Sequence, residues 1–503
     1  MDSKLAMHSL HTTTADSSRQ EKTMIAIACV MVTAAGCYFS FGLGPAWWLA
    51  WFAPVPVLWL VLGEAKPWKA FLAAWVAFAL GSTSLLRAYV NVIPAPILAF
   101  NILVPSLLFA LAAMGARHVM RAFGPVPAMF AFAALWTGSD LLISFNPGTG
   151  SILSPAGAEV VAPVLVQSAA LVGFLGITFL LGAVAAAIAL SLRTRNPAPV
   201  LLAAALFATN VAYGYWRVSH SPANTLRVAL IDNNTYGYWT VFDRPEAGLK
   251  QPAFRVIDAY TTQIDKLRGE HVQLVVLPEN ISLISREWRH EAEAKLAAAA
   301  NVTGATVVGG FNMNIDGARR NVAWAFAPRN QTPITYEKRR LVPGLESSVF
   351  TPGPGPRVLP GGIELEICFD MDFQRMIRRD GAATRPRLFA VSASEIGTHG
   401  AWSNPIAAED AWFHARTALL RSVENGVPMA RSALRGLLTL NDRYGRIVAE
   451  KRTNGEFTTL IGDLPLNSLG GATLYDRIGD AFGWICLVLG MALVGVSLRK
   501  APG

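Results

Sequence analysis

The sequence predicts a bundle of membrane-spanning α-helices with a large α/β domain inserted before the last helix. Of the 503 residues, 52% are hydrophobic and only 15% are charged, whereas a soluble chain carries roughly 25% charged residues. Runs without Asp, Glu, Lys or Arg fill most of residues 24–216 and return at 481–498. Between them, residues 217–476 are polar, with short apolar segments. These observations exclude a disordered chain and disfavour a wholly soluble one.

The membrane part is predicted from the lengths of its uncharged runs. A bilayer span needs about 20 apolar residues, and residues 24–63 are long enough for two spans with a turn at Gly42, Gly44 and Pro45. The remaining uncharged runs are 70–86, 88–116, 122–139, 160–192, 196–216 and 481–498. We therefore expect a cytoplasmic tail at 1–23, seven spans within 24–216, an extracytoplasmic domain at 217–476, and a last span with a short tail at 477–503. The Ser- and Thr-rich tail is expected to be disordered.

The distribution of Lys and Arg predicts the orientation. If the N-terminus is cytoplasmic, the outer short loops hold only Arg87. The inner segments then hold eleven basic residues: Lys4, Arg19, Lys22, Lys66, Lys69, Arg117, Arg121, Arg193, Arg195, Arg499 and Lys500. Cytoplasmic loops carry such an excess, so both termini are expected in the cytoplasm and residues 217–476 on the periplasmic side of a bacterial inner membrane. The net charge of +9 therefore reflects topology, and no nucleic-acid partner is expected.

The inserted segment alternates β-rich and helical runs. Leu274–Leu277 and Leu388–Val391 are almost continuously apolar, which is typical of strands covered on both faces in α/β folds. The predicted strands are Leu226–Ile231, Val272–Leu277, Ala305–Phe311, Val322–Ala327, Ile363–Phe369, Leu388–Val391 and Pro428–Ser432. The predicted helices are Ala253–Arg268, Trp288–Asn301 and Ile406–Asn425.

Three residues with suitable chemistry stand at or just past predicted strand ends: Glu279, Lys338 and Cys368. Sites of α/β folds gather at such ends. A thiol is a weak nucleophile until it ionises, a nearby Lys can favour the thiolate and stabilise an oxyanion, and a Glu can accept and return the thiol proton. Together they would perform acyl transfer through a thioester, although each residue alone is more often structural.

Other cofactor and metal chemistry is not expected. Cys29, Cys37 and Cys486 lie in apolar runs, so no disulfide framework is predicted. His399 and His414 lack the spacing of metal ligands. The Pro-Gly run at Pro352–Pro356 lacks the Gly-Lys-Ser/Thr of a phosphate-binding loop.

The sequence motifs around the three residues carry a family resemblance. Leu277-Pro-Glu279, Tyr336-Glu-Lys338-Arg-Arg-Leu-Val-Pro343 with Glu346, and Ile367-Cys368 resemble the nitrilase superfamily, and most closely its membrane branch, the apolipoprotein N-acyltransferases. The resemblance implies an αββα nitrilase-like sandwich with seven spans before it and one after. It also implies Glu279 as general base, Lys338 as oxyanion stabiliser, Cys368 as nucleophile and Glu346 as a supporting acid.

The implied reaction moves a fatty acyl chain from a phospholipid to the α-amino group of a lipoprotein N-terminal cysteine. Three segments depart from the family pattern: Phe369-Asp370 stand for Tyr-Glu, Ser392-Ala-Ser-Glu395 for Asn-Asp-x-Trp-Phe, and Ala433-Leu-Arg-Gly436 for Thr-Asn-x-Gly. They leave open an amidase, or an acyltransferase with a different acceptor in plasmid conjugal transfer, like a divergent branch of the family. A catalytically silent membrane scaffold is the third alternative.

Apolar stretches near the expected site could form lids resting on the membrane or could pack in the core, and the sequence does not separate the two. They are Tyr236–Phe242, Leu341–Phe350, Ile281, Leu283 and Ile284.

Overall fold

The computed structural model describes residues 2–41, 46–90, 93–220, 224–233, 249–330, 332–395, 405–453, 457–466 and 472–500. Its membrane part consists of α1 (Asp2–Ser40), α2 (Val55–Gly63), α3 (Pro67–Ser82), α4 (Leu86–Tyr89), α5 (Ala95–Phe123), α6 (Pro125–Ile143), α7 (Ala169–Val172), α8 (Leu175–Thr194), α9 (Ala198–Val218) and, at the end, α15 (Ala481–Lys500). The inserted domain holds α10 (Lys250–Asp265), α11 (Arg289–Thr303), α12 (Gln374–Thr384) and α13 (Pro405–Asn425), and α14 (Leu474–Ile478) leads into α15.

Seven helices within the described ranges are long and apolar enough to cross a membrane. They are Gln20–Ser40, Pro67–Tyr89, Ala95–Phe123, Pro125–Ile143, Leu175–Thr194, Ala198–Val218 and Ala481–Lys500. The predicted second span is the shorter apolar segment Trp47–Gly63, which begins as a 3-10 turn because Pro54 and Pro56 keep one regular helix from forming there. With that segment, seven apolar helical segments precede the domain and one follows it, which confirms the predicted layout.

One detail of the prediction is wrong, whereas the expected disorder of the tail before Gln20 stays a prediction. The uncharged run 160–192 is not one helix: its spanning part starts only at Leu175, after Gly173 with φ +72°. The residues before it form short helical turns that lie against the inserted domain.

The inserted domain contains two packed β-sheets. One has the order β13-β1-β2-β4-β5-β6 with β3 beside β4, and the other has the order β12-β11-β10-β9-β8-β7. The first sheet uses β1 (Thr225–Asn233), β2 (Leu274–Val276), β3 (Ser282–Ile284), β4 (Thr306–Ile315), β5 (Ala318–Phe326), β6 (Ile334–Glu337) and β13 (Phe457–Pro465). The second uses β7 (Val358–Leu359), β8 (Ile363–Ile367), β9 (Leu388–Ser394), β10 (Met429–Leu434), β11 (Leu437–Asn441) and β12 (Ile447–Arg452).

Each sheet is covered by helices on its outer face, which gives the predicted αββα sandwich. Val228 and Leu274 on the first sheet share a core between the sheets with Leu365 and Leu388 on the second. Helices α10 and α11 cover the first sheet. Helices α12 and α13 cover the second, and their apolar residues belong to the same continuous core as the membrane helices. The membrane bundle therefore packs directly against one helical layer of the sandwich.

Polar contacts hold the domain at one end of the bundle. Tyr89 Oη donates to Asp410 Oδ1 at 2.6 Å, and Arg87 pairs with Glu409 at 2.9 Å. The backbone N–H of Ser151 donates to the carbonyl of Asp372 at 2.8 Å. The segments at residues 86–90 and 144–174 therefore face the domain, and those at 64–66, 124 and 195–197 lie at the other end.

The three segments that were expected to form lids lie in different environments. Ile281, Leu283 and Ile284 are 1%, 2% and 1% exposed in the core beneath α10 and α11, so the lid interpretation is wrong for them: β3 pairs with β4 and is covered by helices. In Leu341–Phe350, Leu345 packs against the membrane core. Tyr236–Phe242 lies outside the described residues.

Candidate active site

Glu279 follows β2 and is held by backbone contacts to two other strands. Its N–H donates to the carbonyl of Ala393 in β9 at 3.0 Å, and the N–H of Gly310 in β4 donates to the carbonyl of Pro278 at 3.0 Å. A side chain at Gly310 would not fit, since an added Cβ would lie 2.4 Å from the Cα of Glu279. Gly310 therefore permits the close approach that positions the carboxylate.

Lys338 follows β6 and lies between two carboxylates. Its Nζ is 2.8 Å from Glu279 Oε1 and 2.8 Å from Glu346 Oε2. The amide of Asn321 in β5 donates to both acids, at 2.6 Å to Glu279 and 3.1 Å to Glu346. Glu279, Lys338, Glu346 and Asn321 are all buried. A buried charge needs such partners, and this arrangement leaves the lysine little freedom to move.

Cys368 stands where β8 ends and a 3-10 turn, Cys368–Asp372, begins. Its φ is +42°, a region that costs a residue with a side chain about 1–3 kcal/mol. Asp370 fixes the turn by accepting from the N–H of Arg340 at 2.8 Å and from Tyr336 Oη at 2.8 Å. The thiol, which is half-buried, donates to the carbonyl of Ser394 at 3.5 Å.

Neighbouring carbonyls of β9 therefore hold both the proposed base and the proposed nucleophile. Ala393 anchors the backbone of Glu279, and Ser394 accepts from the thiol of Cys368. Lys338 acts electrostatically on the same thiol. The structure thus brings together all four residues that the sequence predicted for the site.

Burial dominates the protonation of the group. It raises the pKa of the Cys368 thiol well above its ordinary value, Glu279 raises it further, and Lys338 opposes both. Burial also raises the pKa of Glu279 to about 7, against the lowering effect of Lys338. For Lys338, burial would lower the pKa, but Glu279 and Glu346 outweigh it and raise the pKa well above its usual range. The resting site therefore holds a neutral thiol beside a cationic lysine.

A second ion pair adjoins the thiol and was not predicted. Glu395, which follows β9, pairs with Arg431 in β10, and both are buried. Both act electrostatically on Cys368. Sequence reasoning noted Glu395 only as a departure from the family pattern, and it missed Asn321 and Gly310, because nothing local marks a residue whose partner is far away in the chain.

Two clusters among the described residues have the ligand types of a metal site. They are Glu395 with Asp410 and His414, and Glu364 with Glu366 and Asp380. Each cluster already contains an ion pair with an arginine. Arg431 pairs with Glu395, and Arg339 pairs with Glu366 and Asp380. His414 lies 3.4 Å from Asp410 and 3.1 Å from Tyr89 Oη, and His399 lies outside the described residues.

Comparison with known proteins identifies the class first. Residues 245–473 match the carbon-nitrogen hydrolase family model, and residues 33–187 match the model of the apolipoprotein N-acyltransferase N-terminal domain. The fold and the two matches define a membrane-embedded acyltransferase with a carbon-nitrogen hydrolase domain.

Full-length relatives narrow the class to one family. Apolipoprotein N-acyltransferases from Geobacter metallireducens, Allorhizobium ampelinum and Gloeobacter violaceus are 24%, 26% and 28% identical. The alignments cover 92%, 83% and 91% of this chain and 92%, 80% and 91% of the relatives, in that order. A solved carbon-nitrogen hydrolase from Helicobacter pylori G27 is 17% identical over 48% of this chain and 89% of its own, with a TM-score of 0.39.

Over most of its length the chain is similar to apolipoprotein N-acyltransferases, as the sequence motifs predicted. It is a multi-pass bacterial membrane protein and an acyltransferase by class.

Proposed function

We propose that this membrane N-acyltransferase carries its acyl group as a thioester on Cys368. Glu279 is the general base, Lys338 stabilises the oxyanion, and Glu346 holds Lys338 in place. The observation that carries the proposal is the buried ammonium group of Lys338, which two carboxylates fix beside a half-buried thiol on a strained turn.

The first half of the reaction loads the enzyme. Glu279 takes the thiol proton as the sulfur of Cys368 attacks the ester carbonyl of a phospholipid. The C–S bond forms, the C–O bond breaks, and the lysophospholipid leaves with the proton from Glu279. Lys338 stabilises the negative charge on the tetrahedral oxygen.

The second half transfers the chain to an amine. The amine attacks the thioester carbonyl and gives a proton to Glu279, the C–N bond forms, and the C–S bond breaks. The sulfur of Cys368 recovers the proton from Glu279. Because the pKa of Glu279 is about 7, this carboxyl group can accept and return protons near neutral pH.

The position of Cys368 supports lipid substrates. The turn Cys368–Asp372 bonds to Ser151 of a membrane loop, and Phe369, Met371 and Phe373 belong to the core shared with the membrane helices. A nucleophile only a few residues from the bundle can reach an ester at the membrane surface. We propose a phospholipid as the donor and the α-amino group of a lipoprotein N-terminal cysteine as the acceptor.

The proposed orientation places the catalytic domain in the periplasm and both termini in the cytoplasm. The helix ends opposite the domain carry most of the basic residues of the short loops, including Lys66, Lys69, Arg193 and Arg195. Reporter fusions at residues 65, 124 and 196 should report a cytoplasmic location, and a fusion after residue 218 a periplasmic one. The reverse pattern would overturn the orientation without affecting the chemistry.

Intact mass measurement tests the thioester. The purified protein is incubated with a phospholipid of defined chains, and we expect one acyl adduct that hydroxylamine removes. Cys368→Ala should show none, whereas a control with Cys29, Cys37 and Cys486 replaced by Ala should retain it. Failure to form any adduct would refute the proposal and favour the amidase or the silent scaffold.

The acceptor needs its own experiment, because the altered segments lie near the thiol. The apolar Ala433 and Leu434 follow the ion-paired Arg431 in β10, where the family has Thr-Asn. The loaded enzyme is offered a diacylglyceryl-cysteine peptide and, separately, simple amines and water. Transfer to the peptide supports the proposed acceptor, and transfer only to another amine supports the alternative acyltransferase.

A further inference from the structure

A cationic cavity, lined by none of the residues around Cys368, lies at the domain-facing end of the membrane bundle. Its volume is about 320 Å³, near the lower end for small-molecule sites. The side chains that matter for its chemistry are Tyr213, Trp216, Arg217, His220, Arg443 and Tyr444. Its lining includes two arginines and a histidine but neither aspartate nor glutamate.

The cavity lies at the domain-facing ends of the membrane spans, where lipid headgroups are expected. Arg217 is in the last turn of α9, and Ala170 and Leu171 of α7 come just before the span α8. Leu474, at the start of α14 before the span α15, also lines the cavity. The ends of three spans therefore surround the cavity. Trp216 is 62% exposed at its rim, as expected of aromatic residues at a membrane interface.

The two arginines are held close together around one ring. The guanidinium of Arg217 lies 5.6 Å from the centre of the Tyr444 ring, and that of Arg443 lies 5.2 Å from it. Arg217 is only 8% exposed and donates to the carbonyl of Gln167 at 3.4 Å. The two cations repel each other, so an anion bound in the cavity would lower the electrostatic cost of holding them there.

We propose that this cavity is an accessory binding site for the phosphate headgroup of an anionic phospholipid. Arginine binds phosphate with two parallel hydrogen bonds. The exposed indole of Trp216 and the half-buried phenol of Tyr213 are suited to the glycerol and upper chain region of a lipid. Since none of the residues proposed for catalysis lines the cavity, its lipid is distinct from the acyl donor at Cys368. The site would anchor the junction of α9 and the inserted domain to the bilayer surface.

Arg446 offers a matched control. Its guanidinium also lies 5.2 Å from the centre of the Tyr444 ring, but it pairs with Asp442 and does not line the cavity. If the arginines served only to pack against Tyr444, replacing Arg446 would be as harmful as replacing Arg443.

The test measures lipid retention by the full-length protein. The protein is reconstituted in nanodiscs of phosphatidylcholine with a minority of phosphatidylglycerol, and retained lipids are counted by native mass spectrometry. We expect the wild type to keep one phosphatidylglycerol in preference to phosphatidylcholine. Arg443→Gln should reduce that preference about fivefold, the effect of losing one basic residue at the surface. Arg443→Lys should keep most of it, and Arg446→Gln should keep all of it.

Three results would overturn the proposal. One is equal retention of the two lipids by the wild type, and another is equal loss of phosphatidylglycerol in Arg443→Gln and Arg446→Gln. The third is displacement of the lipid by millimolar inorganic phosphate, which would assign the cavity to a soluble phosphate instead. Thermal unfolding of each variant, measured in parallel, separates loss of the site from loss of the fold.

Discussion

Replacing Lys338 with Met tests the central arrangement of the site. Methionine has nearly the same length and volume, so the change removes a charge with little loss of packing. It leaves the buried carboxylates of Glu279 and Glu346 facing each other, with the Asn321 amide as their shared donor. Two buried negative charges that share a single donor repel each other, so one of the two acids is expected to take up a proton.

The size of the effect follows from the distances. At 2.8 Å and an effective dielectric constant of about 20, each ion pair contributes roughly 6 kcal/mol of gross Coulomb energy. Burial offsets much of that, and removing one partner of a buried pair typically costs about 3–5 kcal/mol. For a domain of this size the melting temperature should fall by roughly 6–20 °C. Loss of the oxyanion donor should also reduce turnover by about 10²–10³.

The pH dependence separates electrostatics from packing. In the wild type, burial raises the pKa of Glu279 to about 7. The contribution of this group to folding stability therefore falls as pH rises from its pKa in the unfolded chain to about 7, and it is constant above that pH. Without Lys338, which lowers that pKa, the folded pKa is higher still, and the variant continues to lose stability above pH 7. The difference between variant and wild type should therefore be larger at about pH 8.5 than at about pH 6.

Thermal unfolding of the full-length protein in detergent, followed by tryptophan fluorescence, measures the difference. Cys368→Ser is the control, since it removes the nucleophile without removing a buried charge. An unchanged melting temperature, or an equal decrease at both pH values, would refute the electrostatic reasoning. Wild-type turnover in Lys338→Met would refute the proposed role of the lysine.

Two further predictions concern the base and its support. Acyl loading should fall as pH decreases through about 7, because burial raises the pKa of Glu279 to that value and the protonated acid cannot accept the thiol proton; a loading rate that is flat from about pH 5.5 to 8 would contradict this role. Gly310→Ala should lower loading at least tenfold and cost about 1–3 kcal/mol of stability, since the new Cβ would lie 2.4 Å from the Cα of Glu279. Gly355→Ala, where an added Cβ meets no atom within 4 Å, is its control, and equal behaviour of the two variants would argue against the steric effect.

The fold could be predicted where apolar residues are periodic or continuous. The spans and the buried strands β2 and β9 were recognised because both faces of each are covered. Helix α12 was missed, since only Met376 and Ile377 among its apolar side chains are large and buried. Strand β12 was missed as well, because Ile447–Arg452 is largely exposed and resembles a loop in composition.

The site was predictable only in part for a related reason. Strand ends could be recognised locally, and the sandwich brings those of β2, β6 and β8 together. Asn321 and Gly310 lie within strands, and their importance comes from contacts with Glu279, 42 residues from Asn321. Such long-range contacts leave no local pattern. Glu395 was visible as a departure, but its partner Arg431 could be assigned only after β9 and β10 were found to pair.

The pair of Glu395 and Arg431 has a consequence for the nucleophile itself. Burial is the main reason that the pKa of the Cys368 thiol is raised, and among the charged groups around it Glu395 also raises the pKa while Arg431 lowers it. Glu395→Gln leaves the charge of Arg431 unbalanced, so the thiol should ionise at lower pH. Alkylation of Cys368 by iodoacetamide, followed against pH, should shift accordingly. Glu450→Gln on β12, which breaks a pair with Arg416 of α13, should leave the profile unchanged. Identical profiles for both variants would show that the pair of Glu395 and Arg431 does not tune the thiol.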